Sequence, residues 1–530
     1  MRSTRRQLLQ WGLGAGQLAL LDRFNLLSGR ASAQTASDAP TKLVTLYISG
    51  GYRPQFMWWG QDDAAVDTSV PPPANYSGEP VFFKASDLVD LAPANGNYKP
   101  LRTWRSWDPA NPANRTGRYS PMFYGWQHYA LHEQTSVLHG IDQGTNAHQS
   151  GYIAAMCGVA GSDYRAPAIQ SVLANHLYEK FKGTRPLPCV AISGNGLPVA
   201  TGLASHAAPI LVPSIDALRP SLSAKSADNW WWKDLEARPP TPELDFRGMP
   251  TGSSLKATAL EEFTFAQARA FKGRSTAKVD GFLEGLHGTL TSVSRALAAN
   301  VTDVLEGLKG VDYLKTNRPP YMAGYFMNPF TYTFGLANFH QTQLEPPLEM
   351  TLRLLKSDLT SAIHTVLPSP YFDTHNGSYG VHFSCAHGRA AMDCIARFLG
   401  EMKNTPAPGK PGKTLLDDTL VLIFSEFARS WPSGTSQAAA SSWQYPDDHH
   451  PFTSVTFVGG GVAANRQVGS YTVPLGGGVP VDLIEENGQT GKRIPRAADM
   501  TTTALRILGL GFSDFFIPGG YGEVVGLRKT

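Results

Sequence analysis

Cysteine is scarce in this chain. Cys157, Cys189, Cys385 and Cys394 are the only four among 530 residues, and no two of them form a C-x-x-C pair. A zinc knuckle is therefore not expected. Cys394 falls on the apolar face of a helical pattern with Ala391, Ile395, Phe398 and Met402, where a buried, inert thiol is the expected role. Long apolar runs are lacking too. A membrane-spanning helix needs about 20 predominantly apolar residues, and the run from Trp11 to Leu21 is too short. No transmembrane anchor is expected.

An excess of charge of one sign is also missing. The chain holds 46 basic and 43 acidic residues, and residues 1–33 contain Arg2, Arg5, Arg6, Arg23 and Arg30 against Asp22. Without that segment, 41 basic and 42 acidic residues remain. No basic stripe is left to hold a phosphate backbone, so nucleic acid is not an expected partner. Neither a dinucleotide fingerprint nor an internal repeat is visible. The glycine clusters at 459–461 and 476–478 lack the Lys-Ser/Thr of a phosphate loop and read as turns.

What the first residues do contain reads as an address. Thr4-Arg5-Arg6-Gln7-Leu8-Leu9 is a twin-arginine pattern, followed by the apolar run and the small-residue site Ala31-Ser32-Ala33. Residues 1–33 are thus expected to be a signal peptide. The expected partner is the twin-arginine export machinery, and the expected location is periplasmic or secreted.

Beyond the signal, four β-rich runs stand out: Leu43–Ile48, Ile363–Leu367, Thr419–Phe424 and Ser454–Val458. Several are continuously apolar, as strands covered on both faces are. Helical patterns lie between some of them, notably 388–402, and Met500–Gly509 reads as a helix closing on glycine. Strands alternating with helices predict an α/β fold, with a mostly parallel sheet sandwiched by helices. Residues 40–212 and 346–530 read as two parts of that domain.

Residues 213–345 read as a helical insertion. They hold Trp230-Trp231-Trp232, a proline-rich link, and apolar residues at 3-and-4 spacing from Val279 to Leu308. The triple tryptophan is expected to pack rather than to bind sugar.

Ligands of an open parallel sheet gather beyond the carboxyl ends of its strands, and the polar clusters fall beside strand ends. Asp373-Thr374-His375 follows the second run, Ser425-Glu426 and Arg429 follow the third, and Asp447, Asp448, His449 and His450 precede the fourth. Carboxylates and imidazoles of this kind are usual ligands of zinc, manganese or iron. A polar loop network without metal is the competing reading.

The stretches "KLVTLYISGG", "YFDTHNGSYG", "LLDDTLVLIFSEFARS", "DDHHPFTSVTFVGGGV" and "TTTALRILGLG" resemble the motifs of the exported family called domain of unknown function 1501. The resemblance covers roughly residues 40–200 and 350–525. That family is similar in fold to the alkaline phosphatase and sulfatase superfamily of metal-assisted hydrolases. It implies Asp373 and His375 as ligands of one metal, Glu426 as a further ligand on the strand before the last, and His449 as the final histidine beside Asp448. His450 stands at a position the family leaves variable.

The chain departs from the pattern at two places. Gly50-Gly51-Tyr52-Arg53 supplies no carboxylate after the first strand, and His148 stands at the superfamily's nucleophile spacing, two residues before Ser150. His148 would act as base or additional ligand, and Ser150 as helix cap or nucleophile. Arg429 would clamp an anionic substrate or pair with Glu426.

The resemblance thus implies an exported hydrolase that uses one divalent transition metal on a phosphate or sulfate ester. The alternative is a non-catalytic exported protein that keeps the fold and binds a metal or a glycan.

Overall fold

The computed structural model describes residues 39–52, 54, 124–160, 166–182, 184–192, 202–212, 313–316, 343–367, 372–373, 380–429, 449–472 and 477–530. The expected signal segment 1–33, His375, Asp447, Asp448, the tryptophan triplet and the 279–308 pattern lie outside them. So does almost all of the expected insertion.

Strand β1 (Lys42–Ile48) is buried along its whole length. Its side chains alternate between two cores: Val44, Leu46 and Ile48 enter one, and Leu43 and Tyr47 the other. That alternation, apolar on both faces, places the strand at the centre of a covered sheet. Strands β5 (Ala362–Leu367) and β6 (Thr419–Phe424) flank it, both parallel to it. Beyond β5 lie β3 (Cys189–Ile192) and β4 (Ile210–Leu211), also parallel. Beyond β6 come β9 (Phe452–Gly459), β2 (Thr135–Asp142) and β10 (Arg466–Val468), completing eight strands in the order β10-β2-β9-β6-β1-β5-β3-β4. The sheet is mostly parallel, as expected, and β1–β4 share it with strands from the second half of the chain.

Only β9 runs against its neighbours β6 and β2. This reversal has a consequence for the site. The amino end of β9 stands at the same sheet edge as the carboxyl ends of β1, β2, β5 and β6. A residue just before β9 therefore joins residues that follow the other strands.

Helices cover both faces. On one lie α1 (His148–Cys157), α2 (Ile169–Phe181) and α5 (Ala497–Ile507), which send Ile153, Met156, Ile169, Leu173, Met500 and Leu505 into one core. On the other lie α3 (Glu345–Lys356) and α4 (Gly380–Asn404), contributing Leu348, Leu352, Ile395 and Phe398. Helix α4 extends well past the expected 388–402, and α5 starts three residues before the expected Met500 on an Arg496 N-cap. Among the described residues, no helix is long and apolar enough to cross a membrane.

The edge opposite the site is closed by buried charge. Lys42 Nζ donates to Asp418 Oδ2 at 2.8 Å with both side chains fully buried, and also reaches Asp358 Oδ1 at 2.8 Å. Asp418 further accepts from the Thr41 amide at 3.0 Å and the Thr41 hydroxyl at 2.9 Å. These bonds fasten the start of β1 to the start of β6. Cys157, Cys189 and Cys394 are buried, and burial raises the Cys157 and Cys189 pKa values to about 12.

Candidate metal centre at the carboxyl edge

Strand β1 leads through Ser49 into Gly50-Gly51, with φ of 103° and 74°. This is the left-handed region, which glycine enters without the steric cost of a Cβ. A Cβ on Gly51 would stand 2.3 Å from the Phe427 ring. The turn aims backbone groups at the residues that follow β6. The Gly50 amide donates to Glu426 Oε1 at 2.8 Å, and the Gly51 amide to Ser425 Oγ at 3.0 Å. The Gly50 carbonyl accepts from Arg429 Nε at 3.0 Å and Nη2 at 2.7 Å.

Glu426 is fully buried, so its charge requires donors. Besides Gly50, Ser425 Oγ donates to Oε2 at 2.7 Å, and His148 Nδ1 lies 2.7 Å from Oε1; burial, and then the Glu426 charge, raise the pKa of the Tyr47 hydroxyl. The acceptor being a carboxylate, His148 Nδ1 carries the hydrogen, and in the neutral ring Nε2 then holds the lone pair. The bond to Glu426 raises the His148 pKa above its ordinary value, against the opposing effect of burial.

His148 is the first residue of α1. Gly151, one turn further on, lets the helix approach closely, since a Cβ there would stand 2.3 Å from the Glu426 carbonyl oxygen. Ser150 is the third residue of α1. The N-cap is Ala147, which makes no side-chain bond, so Ser150 does not cap the helix.

His449 belongs to β8 (His449–His450), which pairs antiparallel with β7 (Ala428–Arg429). Its Nδ1 bonds the Asn146 carbonyl at 2.5 Å, in the loop leading to His148. Its ring stacks on Phe427 with centroids 4.1 Å apart and meets His148 edge-on at 4.7 Å. His450 turns toward the start of β9, its Nδ1 accepting from the Phe452 amide at 3.3 Å.

Asp373, just beyond β5, is held by Arg429 Nη2 at 2.6 Å and lies 3.5 Å from His148 Nε2. The Arg429 side chain is completely buried, whereas those of Asp373 and His148 are 43% and 42% exposed. The site thus has a buried back wall and an open front.

Among the described residues, His148, Asp373 and His449 each offer a ligand atom within 4.8 Å of the others. Two imidazoles and a carboxylate leaving positions open is the donor set of catalytic zinc sites, and it serves iron and manganese as well. The donor chemistry fits a divalent transition ion.

The candidates named from sequence are placed as follows. Asp373 and His449 come together, and His148 joins them as a third donor. Glu426 stands behind His148, orienting its ring. Arg429 pairs with Asp373 and the Gly50 carbonyl, at the back of the site. His375 and Asp448 lie outside the described residues. The sequence reading missed Tyr47, Phe427 and the Asn146 carbonyl. Phe427 sits within the quoted "SEFARS" stretch, but a ring beside a motif carries no signal of its own.

No family model matches the chain, and no curated protein or solved structure matches it either.

Proposed function

We propose that this chain is an exported metal-dependent hydrolase of alkaline phosphatase-like fold, acting on a phosphate or sulfate ester. The observation that carries this reading is the convergence of His148, Asp373 and His449 within 4.8 Å at the open carboxyl edge. The buried Glu426 carboxylate hydrogen-bonded to the ring of His148 supports it further. Metal-ligating histidines characteristically donate their second ring N–H to a carboxylate or a carbonyl. Here Glu426 serves His148 and the Asn146 carbonyl serves His449.

When bound, a divalent ion supplies Lewis acidity and an activated water. The chain's own residues do the rest. Glu426 and Asn146 fix the two imidazoles, and Arg429 fixes Asp373. Charge favours an anionic substrate. Glu426 and Asp373 contribute two negative charges and Arg429 one positive, so a divalent ion would leave the site with net charge +1. That balance attracts an ester anion to the exposed front.

One feature favours the alternative of a non-catalytic metal-binding protein. The end of β1 presents backbone amides to Glu426 and Ser425 where a second metal would need a carboxylate.

Turnover separates the two readings. Glu426→Gln keeps the shape of the side chain and weakens its hold on His148. Such changes typically cost about 10–100-fold in metal affinity or activity. The expected result is hydrolysis of an aryl phosphate or aryl sulfate by the parent protein, reduced by that factor in the variant at unchanged thermal stability. A parent protein that binds metal but turns over neither ester would leave the non-catalytic reading standing.

A further inference from the structure

We infer that Tyr152 is a positioning residue for this site: its hydrogen bond to His364 in β5 sets the rotation of α1 and thereby the placement of His148. The inference rests on the metal-site reading above.

Tyr152 follows His148 by four residues on α1, so the two side chains lie one above the other on the same helical face. The Tyr152 hydroxyl lies 2.9 Å from His364 Nε2. On the other side of that ring, Nδ1 lies 2.9 Å from Thr45 Oγ1, which also accepts from Gln170 Nε2 at 2.5 Å. The Thr45 hydroxyl in turn reaches the Ile363 carbonyl at 3.4 Å.

One arrangement of hydrogens satisfies the row. Tyr152 donates to Nε2, Nδ1–H donates to Thr45, and Thr45 donates to the carbonyl. His364 is fully buried, and burial holds its pKa down at about 3, which keeps the ring neutral in this arrangement. The row crosses from α1 through β5 and β1 to α2, tying one helix to two strands and a second helix.

A second contact leads from the row to the site. The Tyr152 ring meets Tyr47 edge-on with centroids 4.8 Å apart, and the Tyr47 hydroxyl feels the charge of Glu426, the carboxylate that holds His148, which adds to burial in raising its pKa. Besides the apolar contacts of Ile153 and Met156, helix α1 is held beside the site at His148 by Glu426, at Gly151 by close approach to the Glu426 carbonyl, and at Tyr152 by His364. Of these contacts beside the site, the Tyr152 bond to His364 does not involve Glu426. It determines whether the His148 ring, once released from its proton, points at the position shared with Asp373 and His449. Ligand placement at this level changes metal affinity even where no ligand is removed.

The test uses cobalt(II) as the probe, because its visible absorption reports coordination geometry. Full-length parent protein, Tyr152→Phe, Thr45→Val and Thr45→Ser are titrated with cobalt(II), and their thermal unfolding is followed in parallel. His148→Ala is the control for the site itself. Tyr152→Phe and Thr45→Val are expected to lose about 10–100-fold in cobalt affinity and to change the visible spectrum. Thr45→Ser, which keeps the hydroxyl, should match the parent.

If Tyr152→Phe unfolds more easily yet binds cobalt with parental affinity and spectrum, its role is structural only and the inference is overturned. If Tyr152→Phe fails to fold, the Thr45 pair decides by the same criterion. Failure of the underlying site looks different. The parent would then bind no cobalt, or His148→Ala would bind as the parent does, and both readings would fall together.

Discussion

Lowering the pH from about 6.5 to about 4.5 is expected to cost the fold about 5 kcal/mol through two side chains, His139 and His364. Both are buried, and burial depresses both pKa values to about 3. His139 lies in β2 against the Ser454 hydroxyl at 2.8 Å and beside the Tyr471 ring. His364 faces Tyr152, Thr45 and the Tyr47 ring. None of these partners is an anion that could stabilise an imidazolium.

The sign follows from proton binding. Between pH 6.5 and about 3 the unfolded chain takes up a proton on each histidine and the folded chain does not. Stability therefore falls as pH falls through that window, by about 1.4 kcal/mol per unit for each group. Single domains have about 5–15 kcal/mol in total, so the loss is a large share. Urea midpoints at three pH values within the window measure it. Replacing His139 by Gln should remove about half of this dependence. An unchanged slope in that variant would show that the ring is protonated in the folded state.

Asp418→Ala is expected to cost about 3–5 kcal/mol, the usual result of leaving a buried charge without its partner. The Lys42 ammonium is fully buried and would keep only Asp358, whose side chain is 24% exposed. The Thr41 amide and hydroxyl would lose an acceptor as well. Asp418→Asn, which keeps an acceptor oxygen, should cost less. The check is the urea midpoint at constant slope, which isolates stability from changes in the unfolded state. A loss under about 1 kcal/mol would mean that Asp358 alone satisfies Lys42.

The central strands could be read from the sequence. Leu43–Ile48, Ile363–Leu367 and Thr419–Phe424 are runs whose apolar content survives on both faces, and they lie within one residue of β1, β5 and β6. Strand β2 escaped because His139 and Gly140 interrupt its apolar pattern, and β3 because it has only four residues.

The direction of β9 was not legible either. An apolar run reads the same in both directions, and the sheet order decides it. That hidden reversal explains why the histidines precede a strand while the other polar clusters follow theirs.

The residue types of the site were legible, and their division of labour was less so. Glu426 and Asp373 are both carboxylates after strands, and only burial separates them. One is sealed in among amide, hydroxyl and imidazole donors, and the other has a solvent-facing side. Sequence left Arg429 open between an anion clamp and a partner for Glu426. The fold gives it Asp373, through a β7–β8 pairing that no local pattern announces.

The most direct test is elemental analysis of the protein, purified without added metal, beside a His449→Ala variant. The account predicts about one equivalent of zinc, manganese or iron in the parent, lost in the variant while thermal unfolding stays cooperative. No transition metal in the parent, or equal metal in both proteins, would contradict it.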